Sequence, residues 1–250
     1  SNLSSDQGDF SLADTVKVVL TSGTANITAV SFDNEVDTVD ISGQTAIMTN
    51  SQGQLTITDS GSGSITIKDA SDTIVDDDGT SLSSSITGAR NVELTDQPTL
   101  AQLIAINNAT SGVITLQTTS GDLSGTTADL LAAFAGTVTL YTGDLTVTDS
   151  ASIAELDTLN AETNGTVTYT ALSDTAANLV PSGTISSYVT SNHTVTVEDQ
   201  VSISQLVAIN AATAGAITLN VTSGTLTGTA AELNSAFGGT ISEYTGNLSA

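Results

Sequence analysis

A segment of about fifty residues occurs three times in the second part of the chain, and this repetition constrains the fold more than any other feature of the sequence. The copies span about 92–144, 145–194 and 195–250, so they begin 53 and then 50 residues apart. A repeat of this length cannot bury its apolar face alone and does so by stacking on its neighbours. The sequence therefore predicts a stack of similar units.

Each copy changes its hydrophobic period in the same order. In the second copy, Leu145–Asp149 alternates apolar and polar residues, as a β-strand does, and Ile153, Leu156 and Leu159 then recur at helical spacing. Gly165 ends this helix, and a second alternating run and a second helical run follow. The order strand, helix, strand, helix predicts parallel strands, because strands joined through helices are normally parallel.

The first ninety residues lack helical spacing and show short alternating runs separated by turn clusters such as Ser60–Gly63. Runs about ten residues apart are typical of a β-solenoid or a β-sandwich. We therefore predict an α/β protein with a β-rich region, residues 1–90. It precedes a solenoid-like region of strand-helix-strand-helix repeats with parallel strands, residues 91–250.

The charge of the chain excludes whole classes of partner. The sequence has 27 acidic and three basic residues, for a formal net charge of −24, and it has no cysteine. Nucleic acids and anionic membrane surfaces are recognised through clustered lysine and arginine, so we expect neither as a partner. No apolar run of about 18 residues is present, so we expect no membrane insertion. Acidity of this degree favours solubility in salt, cation binding, or both.

The repeats resemble those of a known class of protein. The segments Val147–Leu156 and Leu172–Leu179 are similar to tandem repeats of large type-I-secreted, adhesin-like cell-surface proteins of marine cyanobacteria and proteobacteria. The resemblance covers about residues 92–250 and implies a structural or adhesive role at the cell surface or outside the cell, often with calcium. The Gly-Gly-x-Gly-x-Asp nonapeptide of calcium-binding toxin repeats is absent, so no metal ligands carry over from that family.

Groups that could perform catalysis are scarce in this sequence. It has one histidine, His193, in a turn between the second and third copies, and it has no Gly-x-Ser-x-Gly motif and no phosphate-binding loop. General-base catalysis needs an organised set of partners, so we interpret His193 as a surface turn residue and the chain as not an enzyme. A lectin or carbohydrate-active enzyme would expose aromatic rings, and a chain with no tryptophan and four tyrosines disfavours both.

One acidic segment has the residue types that calcium requires. Closely spaced carboxylates on a loop after a strand supply hard oxygen ligands, and Gly79 permits the turn. We therefore predict a Ca²⁺ site, and the alternative is a solvated acidic turn without metal. The candidate ligands are Asp69, Asp72, Asp76, Asp77 and Asp78.

Three further sets of residues recur once per copy, and each allows two interpretations. Aspartates ahead of the first helix are helix caps or a row of metal ligands. Asparagines at the helix end form an internal ladder or terminate the helix. Tyrosines near the close of each copy pack in the core or stack on a ligand. These residues are Asp96, Asp149 and Asp199; Asn107, Asn160 and Asn210; and Tyr141, Tyr188 and Tyr244.

The third copy lacks a polar cap, and this predicts self-association. An uncovered repeat end exposes apolar side chains and unpaired strand groups. We expect copies of the chain to associate head to tail through Leu233, Phe237 and Leu248, because the two joined faces differ.

These features together favour a structural subunit or segment of an extracellular or cell-surface bacterial assembly, such as a filament, a surface layer or an adhesin stalk. Other surface proteins and glycans are further candidate partners. The alternative is a phage tail fibre or virion decoration protein, which would form trimers.

Overall fold

A computed structural model of the chain describes residues 16–19, 24–26, 36–40, 43–53, 56–58, 63–190 and 192–250, so residues 60–62 of the turn cluster named above lie outside it. The strands are β1 Val16–Val19, β2 Thr24–Asn26, β3 Val36–Asp40, β4 Thr45–Met48, β5 Thr56–Thr58, β6 Ser64–Asp69, β7 Asn91–Leu94, β8 Val113–Leu116, β9 Leu123–Gly125, β10 Thr137–Val138, β11 Leu145–Val147, β12 Ser150–Ala151, β13 Val167–Thr168, β14 Ala171–Asp174, β15 Thr194–Val197, β16 Ile217–Leu219, β17 Thr225–Thr227 and β18 Asn247–Ser249. The α-helices are α1 Asn50–Gly53, α2 Ser71–Ile74, α3 Leu100–Ala109, α4 Thr127–Ala133, α5 Ile153–Glu162, α6 Ala176–Leu179, α7 Ile203–Ala212 and α8 Ala230–Ala236.

The chain forms two compact units. One comprises the described residues up to Gly121 together with Ala132–Leu140, and the other comprises Asp122–Leu131 and Tyr141–Ala250. The strands named above pair in parallel in both units. The predicted mixed α/β class with parallel strands is therefore confirmed.

The first unit contains a three-stranded sheet, in the order β1-β3-β5, and a six-stranded sheet, in the order β2-β4-β6-β7-β8-β10. Thr45 pairs with Ser64, 19 residues further along, and Thr66 pairs with Asn91, 25 residues further along. We call the stretch of chain between two such paired positions a coil. Parallel neighbours need a crossover connection, and α2 and α3 lie in two of these crossovers.

The second unit has the same construction. Its sheets have the strand orders β9-β11-β13, β12-β14-β15-β16 and β17-β18. Leu123 pairs with Leu145, and Val195 pairs with Ile217, so one coil again separates neighbouring strands. The helices α5, α6 and α7 lie in the crossovers between these strands.

Each unit buries alternate residues of its strands together with the apolar stripe of its helices. In the first unit, Val92 and Ile114 from strands and Leu103 and Ile106 from α3 are fully buried. This burial is the main source of stability, at about 1.5–3 kcal/mol for each large aliphatic side chain. The positions equivalent to Leu103 and Ile106 are also fully buried in the other two copies, at Leu156, Leu159, Leu206 and Ile209.

The region before residue 90 contains two helices, α1 and α2, that the alternating runs did not predict. Each has only four residues. A single helical turn is too short to show a helical period, so periodicity alone cannot reveal it. None of the helices in the described part of the chain has the length and apolar character needed to cross a bilayer.

A glycine occupies the corner after each ten-residue helix, because the backbone of the preceding coil passes very close. A Cβ atom on Gly215 would lie 2.2 Å from the carbonyl oxygen of His193. The corresponding distances to a preceding carbonyl oxygen are 2.3 Å at Gly112 and 2.2 Å at Gly165. Any side chain at these corners would push two coils apart.

Replacing Gly215 by Ala should therefore lower the free energy of unfolding by about 1–3 kcal/mol, the usual cost of overpacking a tight contact. Urea denaturation followed by circular dichroism measures this change. Ala214→Ser is the matched control, because it introduces the side chain that Ser111 places at the same corner of the first copy. Equal stability of both variants would show that the close approach at Gly215 is not limiting.

Candidate functional site

Aspartates at or just after strand ends connect each coil to a helix of the preceding coil. Asp174 Oδ2 accepts a 2.9 Å hydrogen bond from the backbone N–H of Ile153, the first residue of α5. Asp149 Oδ1 accepts a 2.8 Å bond from the N–H of Thr127, the first residue of α4. We call this set the aspartate ladder. Its other members join Asp69 to Asn50, Asp96 to Ser71 and Asp199 to Ala176, at 3.2, 2.8 and 2.7 Å.

The ladder satisfies a donor that a local cap does not reach. The first N–H groups of a helix have no partner within it, and an N-cap side chain binds the N–H of the second or third residue. In α5 the hydroxyl of Ser152 takes the N–H of Glu155, while Asp174 of the next coil takes the N–H of Ile153. Local and neighbouring residues therefore share the capping of one helix end.

The recurring Asp96, Asp149 and Asp199 are helix caps, but they cap the helix of the preceding coil rather than the helix that follows them. The following helices α3, α5 and α7 have capping boxes of their own, in which a Ser or Thr and a Gln or Glu bind each other's backbone N–H. These pairs are Thr99 with Gln102, Ser152 with Glu155, and Ser202 with Gln205.

Two members of the ladder, Asp69 and Asp174, did not stand out as caps in the sequence. Asp174 is 7% exposed and accepts further bonds from the N–H of Thr175 and the amide of Asn178. The available signal was positional, because an Asp closes or follows a strand and a short helix begins within a few residues. It becomes informative only when the coils are aligned.

Electrostatics also favours these contacts. Burial raises the pKa of Asp149, but the hydroxyl and the N–H of Thr127 lower it further, so the pKa lies below its ordinary value. A carboxylate whose pKa is lower in the folded state stabilises the fold above its ordinary pKa, and this stabilisation is lost as the pH falls through the folded pKa. A negative charge at the N-terminus of a helix also interacts favourably with the helix dipole.

Replacing Asp174 by Ala should lower the free energy of unfolding by about 1–3 kcal/mol, because the N–H of Ile153 and the amide of Asn178 lose a buried charged acceptor. Asp174→Asn keeps one acceptor oxygen and should cost less. Urea denaturation of the two variants gives the comparison. If Asp174→Ala were as stable as Asp174→Asn, the inter-coil bond would not contribute to stability.

The recurring asparagines form contacts between coils, as one of the two interpretations expected. The amide of Asn107 donates to the carbonyl oxygen of Ala132 at 2.7 Å, and the amide of Asn210 donates to that of Ser235 at 2.8 Å. Asn160 instead donates to the hydroxyl of Tyr188 at 3.0 Å. These side chains therefore join the end of one helix to the next coil.

The tyrosines that recur near the close of each copy differ in their surroundings. Tyr141 is fully buried, as core packing requires. The hydroxyl of Tyr188 donates to the carboxylate of Asp157, and burial together with that bond raises its pKa. The ring of Tyr244 lies 6.1 Å from the ring of Phe237.

The acidic residues predicted to bind calcium divide into separate places. Asp76 and Asp78 meet at Thr80, whose N–H they both accept, at 2.7 and 3.1 Å. Asp77 accepts from the side-chain amide of Gln102 at 3.3 Å. Asp69 belongs to the aspartate ladder, and Asp72 is exposed in the first turn of α2.

The turn around Asp76 is ordered by hydrogen bonds within the chain. The N–H of Ser81 and the donors of Thr80 lower the pKa of Asp76 to about 2, against the opposing effect of burial. Within the described ranges, no three or more His, Asp or Glu side chains are grouped so that they could hold a metal ion. The calcium site remains a prediction from the sequence.

If calcium binds at this turn, millimolar Ca²⁺ should raise the melting temperature, because a divalent cation relieves the repulsion of Asp76, Asp77 and Asp78. Binding at a hundredfold excess over Kd adds about 2.7 kcal/mol of stability. Differential scanning fluorimetry with Ca²⁺ and with chelator tests this, and Asp78→Asn should abolish the shift while Asp72→Asn retains it. Identical melting curves with Ca²⁺ and chelator would refute the site.

The residues predicted to mediate self-association lie on α8 and β18 or beside them. Leu248 is 54% exposed at the centre of β18, whereas its partner in register, Leu226, is buried. Leu233 in α8 and Phe237 at its C-cap are half-buried. The structure brings Phe237 close to Tyr244.

His193 packs against aromatic neighbours in the second unit. Its ring centroid lies 4.4 Å from that of Tyr169, and its Nδ1 lies 3.1 Å from the carbonyl oxygen of Tyr188. The Tyr169 hydroxyl donates to the same carbonyl oxygen at 2.9 Å. This arrangement fixes the turn before β15 and accounts for the position of the histidine without a catalytic role.

An open groove of about 490 Å³ lies in the second unit along Gln200–Gln205 and Thr225–Thr227. The side chains that line it carry no charge. Gly228, beside the groove, occupies a position that an aspartate of the ladder takes in other coils, and a Cβ there would lie 3.0 Å from Ile203.

Comparison of the chain with protein-family models, curated proteins and solved structures gave no match.

Proposed function

We propose that this chain is a structural, non-catalytic segment of an extracellular bacterial assembly, in which copies of the chain associate head to tail. The proposal includes a solenoid-like stacking of the coils within each unit and a β-rich region before residue 90. It is supported by the way polar side chains are used, because the aspartate ladder and the asparagine contacts bind coil to coil. The acidity of the chain and the resemblance of its repeats to secreted surface proteins agree with this role.

The observation that carries the proposal is the exposure of apolar side chains in the third copy. Leu145 in β11 is fully buried, but Leu248, at the equivalent position in β18, is 54% exposed. Leu130 and Phe134 of the first copy are likewise buried, whereas their equivalents Leu233 and Phe237 are half-buried. A further layer that covered β18 would bury these side chains as they are buried in the first copy.

A second copy of the chain is the proposed occupant of this surface. The segment Asn247–Ser249 is uncharged, so its burial would desolvate no ionised group. An exposed strand edge is a template for pairing with another strand. Because the strand edge and the surface that would dock on it differ, such a contact propagates as a filament or closes as a ring.

Replacing Leu248 by Lys should abolish assembly, because it places a charge in the proposed contact. Val113→Lys is the matched control: Val113 is 44% exposed, but β8 has a pairing partner on each side. Light scattering and negative-stain electron microscopy of the wild type and both variants, at several salt concentrations, give the result. Salt is varied because a chain of charge −24 repels its copies when screening is weak.

Assembly of the wild type and of Val113→Lys, with monomeric Leu248→Lys, would support the proposal. A wild type that stays monomeric at high concentration, or an unchanged assembly of Leu248→Lys, would refute the contact. A discrete trimer would favour a phage tail fibre or virion decoration protein instead.

A further inference from the structure

The chain contains one Asn-Gly pair, Asn164–Gly165, at the corner after α5. Asn164 is exposed, and Gly165 is fixed by the close approach of the carbonyl oxygen of Gly143. The same corners of the other two copies carry Ser111–Gly112 and Ala214–Gly215. The second copy therefore combines an obligatory glycine with an asparagine that the other copies do without.

An Asn-Gly pair can modify itself without an enzyme. The backbone nitrogen of the glycine, which no side chain shields, attacks the side-chain carbonyl carbon of the asparagine. A C–N bond forms, the glycine N–H proton passes to solvent, and ammonia leaves, which gives a cyclic succinimide. Water then opens the ring to aspartate or isoaspartate, so water is the only co-reactant.

The structure holds the attacking nitrogen of Gly165 away from this reaction. Its N–H donates to Thr163 Oγ1 at 2.9 Å, and the Thr163 hydroxyl donates in turn to the carbonyl oxygen of Gly143 at 2.8 Å. Thr163 is 5% exposed, so water does not readily replace it in these bonds. The N–H of Asn164 is also bound, to the carbonyl oxygen of Tyr141 at 3.0 Å.

We propose that Asn164 is a site of spontaneous deamidation and that Thr163 keeps this site closed while the corner is folded. Attack on Asn164 requires the bond between Gly165 and Thr163 to open, so the rate follows local opening of the corner. Isoaspartate lengthens the backbone by one carbon atom. The corner has no room for this, because Gly165 already lies against Gly143.

The test compares deamidation of the folded wild-type chain with that of the same chain in urea, in mildly alkaline buffer, by peptide mass spectrometry. We expect Asn164 to deamidate at least about tenfold faster in urea than in the folded chain. In the folded state, Thr163→Val should raise the rate at Asn164 several-fold, whereas Thr163→Ser should stay near the wild type.

Thr213→Val is the matched control, because Thr213 forms the same bonds at Ala214–Gly215, away from Asn164. It should leave the rate at Asn164 unchanged, which separates loss of the local bond from general loosening. Equal rates in the folded chain and in urea would refute the closing role of Thr163. Absence of faster modification at Asn164 than at other asparagines in urea would refute the site. If Thr163→Val failed to fold, the urea comparison and Thr163→Ser would still decide.

Discussion

The hydrogen bond from the first backbone N–H of a helix to a carboxylate of the next coil is the contact on which the rest of the structure depends. Helices of four to ten residues are not stable alone in water, since they form too few internal bonds to offset the cost of nucleation. In α6, Asp199 binds the N–H of Ala176 and Thr175 binds that of Asn178, so two coils are needed to complete one helix end. Local structure is thereby coupled to stacking, and part of the negative charge of the chain is structural.

The spacing of the coils explains much of the composition. Neighbouring parallel strands lie about 4.8 Å apart, so residues at the corners of adjacent coils must be small. Gly112, Gly165 and Gly215 are the extreme case, because a carbonyl oxygen of the preceding coil occupies the place of a Cβ atom. A threonine two residues earlier completes each corner: in the second copy, Thr163 binds the carbonyl oxygen of Gly143 and the N–H of Gly165. The abundance of threonine, serine and glycine therefore follows from stacking and needs no further function to explain it.

The features with a local signal were predictable from the sequence, and those that join residues one coil apart were not. The apolar spacing of Ile153, Leu156 and Leu159 predicted a helix, and the structure has α5 at that place, with Leu156 and Leu159 fully buried. The partner of Asp149 was not predictable, because Thr127 lies 22 residues away and a cap for the helix after Asp149 was available nearby. Asp69, grouped with the calcium candidates by proximity in sequence, accepts the N–H of Asn50 from the preceding coil. Alignment of the coils, rather than of the fifty-residue copies, is what reveals such pairs.

Under the proposed function, charge and assembly act against each other, and ionic strength sets the balance. Each chain carries a net charge of −24, and repulsion between copies extends over about 10 Å at 0.1 M salt and about 3 Å at 1 M. The attraction offered by β18 is of short range, since it consists of backbone pairing and burial of side chains such as Leu248. It can exceed the repulsion only when the charges are screened or neutralised by bound cations. The acidity that keeps separate copies soluble would then also restrict their association to a medium of high salt, as expected for a protein that assembles only after it has left the cell.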